Sequence, residues 1–446
     1  MKIVILAGGS GTRLFPLSRE EMPKQFIKIF DNRSLFQSTV RRALLLSEPE
    51  DIYIVANEKH KFRILDQLAE MGVEIPNILL ESIAKNTLPA VIYALREIGE
   101  DSKVAVMPAD HMIDANEEFT KAFKKAEKLA DSYIVTFGVK PLNPHTGYGY
   151  IKPGKRLGDG FLVDKFIEKP DRKTAEKLIL EGCFWNSGIF VFSRNLFLEE
   201  CRRHASEVLR LLNQTTEYET LPEVSIDKGV MEKTDKAAVI PLNTFWSDVG
   251  SFDAVYDLYK KDDNGNAISG EVIVIDSENN LAISERLLSL VGVKDLVVVD
   301  TGDAVLVSSK KDSQKIRDVV ETLKERGDKR VEVHRTAYRP WGSYTVLEEG
   351  DFYRIKRLTV LPKKRLSLQR HYHRSEHWVV VKGTAKVVVN GREILLRNGE
   401  STFIRAGDIH RLENPGMIPL EVIEVQIGEF IDEDDIERLE DDFERF

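Results

Sequence analysis

Only two cysteines, Cys183 and Cys201, occur in 446 residues. So few exclude a disulfide framework and a thiolate-built metal site, and point to free thiols in a reducing compartment. Positive charge is also in deficit: 64 lysines and arginines against 73 acids give a net charge of −9. That balance excludes a general nucleic-acid binder and leaves room for a local basic pocket that takes phosphates. No apolar run approaches the roughly 20 residues of a membrane helix. A strand starts at once, without the charged, apolar and cleavage regions of a leader. The expectation is a cytoplasmic protein with no membrane and no nucleic-acid partner. Internal repeats and low-complexity tracts are missing as well. The length exceeds one ordinary core, so two or three domains are expected.

The first part alternates short, continuously apolar runs with helical patterns. The runs are Lys2–Ala7, Asp51–Ala56, Lys103–Pro108 and Tyr133–Gly138. Runs apolar throughout suit parallel strands covered on both faces. Between them, Ser34 is placed to cap a helix running to Leu46. This predicts an α/β, doubly wound, Rossmann-like domain, whose ligands sit at the carboxyl ends of the strands. Two segments fall there: the glycine-rich Leu6-Ala-Gly-Gly-Ser-Gly-Thr-Arg13 and Pro108-Ala-Asp-His111. Three glycines free backbone N–H groups to approach a polyphosphate, with Arg13 and Lys24 nearby to neutralise charge. The spacing fits neither the Walker loop nor the dinucleotide fingerprint.

Gly-Gly-x-Gly-Thr-Arg-Leu14, followed by Pro16-Leu-Ser-Arg19 and Pro23-Lys-Gln25, resembles the signature of sugar-nucleotide pyrophosphorylases, in particular mannose-1-phosphate guanylyltransferases. The resemblance runs through about residue 260. It implies that Leu6, Ala7, Gly8, Gly9, Gly11 and Thr12 hold the nucleotide, with Arg13 and Lys24 catalytic. Asp110 and Asp248, the latter in Phe245-Trp-Ser-Asp-Val-Gly250, would hold Mg²⁺, which prefers a few carboxylates plus phosphate oxygens. Ala84-Lys-Asn-Thr-Leu-Pro89 resembles the segment that meets guanine, which offers Lys85, Asn86 and Thr87. Lysine replaces the usual arginine there and lacks its planar clamp. On the sugar side the resemblance implies Gly147 in a backbone wall, Glu168 for sugar hydroxyls, Lys169 for phosphate and Asn186 as donor and acceptor together. Lys233, in Ser225-Ile-Asp-Lys-Gly-Val-Met-Glu-Lys233, would reach a phosphate.

Around Asp262-Asp-Asn-Gly-Asn266 the pattern breaks. Short strands follow at Glu271–Ile275, Leu281–Ser284, Asp295–Val299 and Ala304–Val307; the resembled family has a left-handed β-helix-like piece here. Asp312 or Ser313 is placed to cap a helix with Ile316, Val319, Val320 and Leu323 on one face, stopped at Gly327. The charged run Lys324–Arg330 reads as a linker. From Arg335 the signal is all strand, with Asn390-Gly391 as a hairpin turn, which predicts a small barrel. Ile436, Leu439, Phe443 and Phe446 share one helical face, so a docked C-terminal helix is expected. The expected domains are 1–262, 263–334 and 335–446.

Read with period two, Arg365–His373 carries Arg365, Ser367, Gln369, His371 and His373 on one face. Gln369, His371, Glu376 and Gly383, then Gly399, Gly407, His410 and Asn414, fit the two metal-binding cupin motifs, with Arg405 in place of a usual proline. Gln369, His371, Glu376 and His410 are the expected ligands. Nitrogen and oxygen donors without thiolate suit Zn²⁺ first, then Mn²⁺, Fe²⁺ or Co²⁺. His373 is read as a neighbouring or substrate group.

Leu366-Ser-Leu-Gln-Arg-His-Tyr-His-Arg-Ser-Glu-His-Trp378 resembles type II phosphomannose isomerases, in which this cupin follows a guanylyltransferase. The resemblance implies GTP, mannose-1-phosphate, mannose-6-phosphate and fructose-6-phosphate as partners, with Arg365 on a phosphate or a developing charge. Three alternatives stand beside this: a transferase whose cupin is a metal-dependent regulatory or dimerisation module, a pyrophosphorylase for another nucleotide or sugar phosphate, and a non-catalytic nucleotide sensor. A homodimer is left open.

Overall fold

The computed structural model describes residues 1–9, 11–30, 32–214 and 218–442. Ser10 of the glycine-rich loop, and Phe443 and Phe446 of the expected C-terminal helix, lie outside them. The chain forms two compact units, Met1–Glu332 and Val333–Phe446. Among the described residues no helix is long and apolar enough to cross a membrane.

The first unit is built on a nine-stranded sheet. Its strands are β1 (Lys2–Leu6), β2 (Ile52–Asn57), β3 (Asn77–Glu81), β4 (Lys103–Pro108), β5 (Ile134–Val139), β6 (Tyr150–Leu157), β7 (Gly160–Ile167), β8 (Phe184–Ser193) and β9 (Ala237–Pro241). They lie in the order β3-β2-β1-β4-β8-β5-β9-β7-β6. β3, β2, β1 and β4 are parallel. Apolar residues on both faces explain why they read as unbroken apolar runs: Ile3 and Ile5 join one core, Val4 the other. Beyond β4 an antiparallel strand is interleaved: β8 pairs with both β4 and β5, and the four apolar runs read from the sequence stay parallel to one another. β8 is buried at Trp185, Ser187 and from Ile189 to Phe192, with Asn186 half-buried between them. Ser34 caps the helix Leu35–Leu44 in a reciprocal box with Gln37, as its position predicts.

A coil of short strands follows. Ala267–Ser269, Leu281–Ser284 and Leu296–Asp300 stack in parallel, as do Val272–Ile275 and Leu288–Val291. Val305–Ser309 turns back antiparallel on Leu296–Asp300. Asn266 and Asn280 stack inside the coil and bond each other and adjacent carbonyls. The helix Ile316–Glu325 starts from a 3₁₀ turn over Lys310–Lys315 rather than from a cap at Asp312 or Ser313; Ser313 instead donates to Asp253. Ile316 and Val320 face inward, while Val319 is exposed. The segment Lys324–Arg330, read as a linker, begins in the last turn of this helix and is exposed except at the half-buried Asp328, yet it is bonded to this unit. The Arg330 carbonyl accepts from the buried Arg19 guanidinium, which also reaches Thr301 (3.3 Å) and Asp303 (3.0 Å) and lies over the Phe15 ring.

The second unit is a two-sheet β-barrel. Its strands are β10 (Thr336–Arg339), β11 (Gly342–Gly350), β12 (Tyr353–Val360), β13 (Leu368–His371), β14 (Arg374–Lys382), β15 (Thr384–Val389), β16 (Arg392–Arg397), β17 (Ser401–Ile404), β18 (His410–Glu413), β19 (Leu420–Gly428) and β20 (Ile436–Glu440). One sheet runs β10-β11-β12-β19-β14-β17, the other β16-β15-β18-β13-β20. Asn390 and Gly391, both at positive φ, make the turn between β15 and β16. The expected C-terminal helix is instead a 3₁₀ turn and strand β20, which pairs along β13. Ile436 and the Arg438 that pairs with Gln369 share one face of β20 while Leu439 falls on the other, so a period of two fits this segment better than 3.6.

Candidate active sites

At the carboxyl end of β1 the glycine-rich loop turns under Lys24. Gly11 sits at φ 53°, and a methyl group on it would lie 2.6 Å from the Lys24 nitrogen. Gln25 straps the loop, its amide donating to the carbonyls of Ala7 (3.0 Å) and Gly9 (2.8 Å). Lys24 itself is buried. Its Nζ pairs with Asp110 Oδ2 at 2.9 Å and donates to the main-chain carbonyl of Asp248 at 2.5 Å. One ammonium thus joins the end of β4 to the turn holding the second acid. Burial raises the Asp110 carboxyl, but the Lys24 and His111 charges outweigh it and hold it below the ordinary carboxylate range. Asp248 accepts from the Tyr148 hydroxyl at 2.6 Å and from the Gly250 N–H at 3.1 Å. Both Asp110 and Asp248 act electrostatically on the half-buried His111. Two carboxylates are the donors a hard divalent cation prefers, and the His111 imidazole lies 3.6 Å from Asp110.

Arg13 is exposed, and its charge acts on His145. His145 stacks on Tyr148 at 3.8 Å, and Tyr148 meets Trp185 and Trp246 edge-on, forming an aromatic wall beside Asp248. Gly147 donates to His145 Nδ1. Glu168 pairs with Lys169 at 2.7 Å, and a methyl group on Gly149 would fall 2.7 Å from the Glu168 carboxylate. Asn186, on β8, accepts from Thr136 (2.9 Å) and donates to Asp227 (3.0 Å). Burial and the Glu168 charge push the Asp227 carboxyl up to about 7. Asn86 caps the helix Thr87–Ile98, Thr87 accepts from the Ile226 N–H, and the Lys85 carbonyl accepts from Val224. Lys233 is not brought to this group: it is exposed, and its ammonium reaches the His204 carbonyl at 3.4 Å.

Sequence reasoning assigned no role to Gln25, Tyr148, His111 or Asp227, although all four lie inside segments it singled out. A polar residue held in an otherwise glycine-rich or apolar run was the available signal.

In the barrel, His371, Glu376 and His410 bring their ligand atoms within 4.8 Å of one another, all buried, and form a candidate metal centre. β13 supplies the first, β14 the second and β18 the third. Gln369 lies opposite His410 in the ladder, and its amide is 3.4 Å from His371 Nε2. His410 Nδ1 faces the Asp408 carbonyl at 2.9 Å, so the proton sits there, and the buried Nε2 has no hydrogen-bond partner among the described residues. An orphaned imidazole lone pair beside a carboxylate is the arrangement a metal ligand requires. Burial raises the Glu376 carboxyl, yet the His371 hydrogen bond and the His410, His371 and Arg374 charges hold it well below its usual range.

Arg365 does not join this cluster. It is partly exposed and grips Asp442 through two bonds of 2.7 Å. His373 is also exposed, held by Asp435 at 2.8 Å. The cation that does reach the cluster is Arg374, buried and 3.3 Å from Glu376. It lies one residue beyond the strand face read from sequence, after β13 has ended, so the period-two reading passed over it.

The comparisons with known proteins agree with this division. Residues 2–265 match the nucleotidyl transferase family model, 270–323 the MannoseP isomerase/GMP-like beta-helix domain, and 326–441 the mannose-6-phosphate isomerase C-terminal model. The chain is 42% identical to xanthan biosynthesis protein XanB of Xanthomonas campestris, covering 99% of this chain and 98% of that one. It is 40% identical to a mannose-1-phosphate guanylyltransferase of Klebsiella pneumoniae, covering 99% of each. A crystal structure described as mannose-1-phosphate geranyltransferase from Thermus thermophilus superposes with a TM-score of 0.66 at 31% identity, over 72% of this chain and 99% of that one. The chain belongs to the nucleotidyl transferase family, among those members in which a mannose-6-phosphate isomerase C-terminal domain follows the transferase.

Proposed function

We propose that the first unit joins GTP and mannose-1-phosphate into GDP-mannose and pyrophosphate, and that the barrel interconverts mannose-6-phosphate and fructose-6-phosphate. The observation that carries the first half is Lys24, which spans Asp110 and the Asp248 turn directly beneath the strapped loop. An ionised sugar phosphate is already a nucleophile, so no general base is needed for in-line attack on the α-phosphorus. Positioning and charge neutralisation remain, and these are what the loop N–H groups, Lys24 and Arg13 offer. Mg²⁺ bound by Asp110 and Asp248 would add charge stabilisation at the phosphates. Leu6, Ala7, Gly8, Gly9, Gly11 and Thr12 would cradle the triphosphate, with Lys85, Asn86 and Thr87 toward the base. Gly147, Glu168, Lys169 and Asn186 would receive the sugar phosphate, in a part spanning about 1–262. Pyrophosphate release, assayed across four nucleoside triphosphates and several sugar-1-phosphates, tests this reading; preference for a pair other than GTP with mannose-1-phosphate rejects it.

For the barrel, Gln369, His371, Glu376 and His410 would hold Zn²⁺, with Mn²⁺, Fe²⁺ and Co²⁺ as the other metals such donors accept. The metal would polarise the sugar carbonyl and stabilise an enediolate. Arg374 supplies a buried fixed cation beside that position, which supports it over Arg365 as the group that meets developing charge. Isomerisation measured with and without chelator separates this reading from a barrel that only regulates or dimerises.

A further inference from the structure

The geometry points to Glu424 as the residue that moves the proton between C1 and C2 of the sugar in the barrel's isomerisation, which deepens the isomerase reading above and rests on it. Such a reaction needs a carboxylate or imidazole close to the metal but not spent on it. A cavity of about 70 Å³ opens beside the candidate metal centre, and three of its lining residues are carboxylates: Glu376, Glu424 and Glu433. Glu376 belongs to the metal cluster. Glu433 is largely exposed and paired with Arg339 and Arg438. Glu424 alone is both buried and unclaimed by the cluster.

Its setting is built by register. Lys356 on β12, Glu424 on β19 and Trp378 on β14 form one rung across three adjacent strands, and Glu376 with Gln426 lies two residues along. The Trp378 indole N–H is shared at 3.1 Å between Glu424 Oε1 and Glu376 Oε2, which ties the two carboxylates together around one donor. On its other side Glu424 Oε2 lies 3.7 Å from Lys356 Nζ, and that ammonium sits over the Tyr344 ring. One oxygen is therefore oriented by a neutral donor and the other lies loosely beside a cation.

From fructose-6-phosphate, the Glu424 carboxylate takes one proton from C1. The C–H pair becomes the C1=C2 bond, and the C2 carbonyl pair moves onto O2. The hydroxyl proton of O1 passes to O2, the O1 pair forms the aldehyde, and Glu424 returns its proton to C2. Nothing is oxidised or reduced overall, and one group serves both directions.

The test uses the full chain loaded with zinc. Interconversion of the two hexose phosphates is measured together with entry of solvent deuterium at C2 of mannose-6-phosphate. E424Q keeps an acceptor for Trp378 but cannot take a proton. It is expected to lose about 10²–10⁴ in both readouts, with zinc content, melting temperature and guanylyltransferase activity as in the parent. Activity within tenfold of the parent overturns the assignment. So does loss of bound zinc, which would make Glu424 a support for Glu376. Should E424Q not fold, E424D decides: a carboxylate drawn back by one methylene should retain zinc and lose at least tenfold in exchange, and undiminished exchange overturns the assignment. If the zinc-loaded parent does not isomerise, the isomerase reading itself fails.

Discussion

Lys24 concentrates more of the transferase site than any other side chain. It is buried, it neutralises Asp110, and it touches the turn that carries Asp248. K24A should lower GDP-mannose formation by about 10²–10³, the loss typical of one preorganised electrostatic donor, while leaving hexose phosphate isomerisation intact; steady-state assays of both activities check this. Asp227 offers a test by pH. Its folded-state value near 7 lies above that of an unfolded aspartate. Between the two the folded chain holds a proton that the unfolded chain releases, so stability is highest at low pH and falls as pH rises, by at most about 1.4 kcal/mol per unit. The loss is complete above about 7. D227N, which keeps an acceptor for Asn186, should flatten the fall in melting temperature of the first unit between pH 5 and 8; an unchanged slope would place the burden elsewhere.

At the scale of elements, the loop after β1 works because of what its glycines leave out. A side chain on Gly11 would meet the Lys24 backbone at 2.6 Å while itself held at positive φ. G11A should therefore displace Lys24 and cut guanylyltransferase kcat/KM at least tenfold, with a smaller loss for the strap variant Q25A; kinetic measurement on the pair gives the order. These features are legible in the sequence, because a glycine-rich turn after an apolar strand, the cap at Ser34 and the Asn390-Gly391 hairpin are local rules written in adjacent residues. β8, inserted antiparallel between β4 and β5, was not legible, because strand direction depends on pairings between residues far apart in the chain. The same limit hid Glu424 and Arg374, whose proposed roles rest on the rungs they occupy. The C-terminal segment misled differently: four apolar residues at helical spacing were counted, two of them beyond the described residues, while its pairing to β13 selects a strand.

For the whole molecule, the proposed sites divide two kinds of metal chemistry between the two units. Asp110 and Asp248 would hold the transferase cation, whereas imidazoles share the barrel's candidate metal centre with Glu376. Dialysis against a strong chelator should abolish both activities. Magnesium alone should then restore GDP-mannose formation, whereas isomerisation should return only with zinc or a comparable transition metal. Recovery of both with magnesium would contradict the ligand assignment in the barrel.

The last described strand changes how the barrel should be handled. β20 lies along the strand that carries Gln369 and His371. Just before it, Asp435 accepts from the N–H groups of Tyr372 and His373, and the Asp432 carbonyl receives Arg374 at 2.7 Å. Anyone trimming this acidic stretch as a loose tail, or fusing a tag in front of it, would be cutting into the wall of the metal chamber. Protease nicking at residues 430–440 ought to silence the isomerase and spare the transferase, so an isomerase that fades on storage while its companion activity persists would have a simple structural cause.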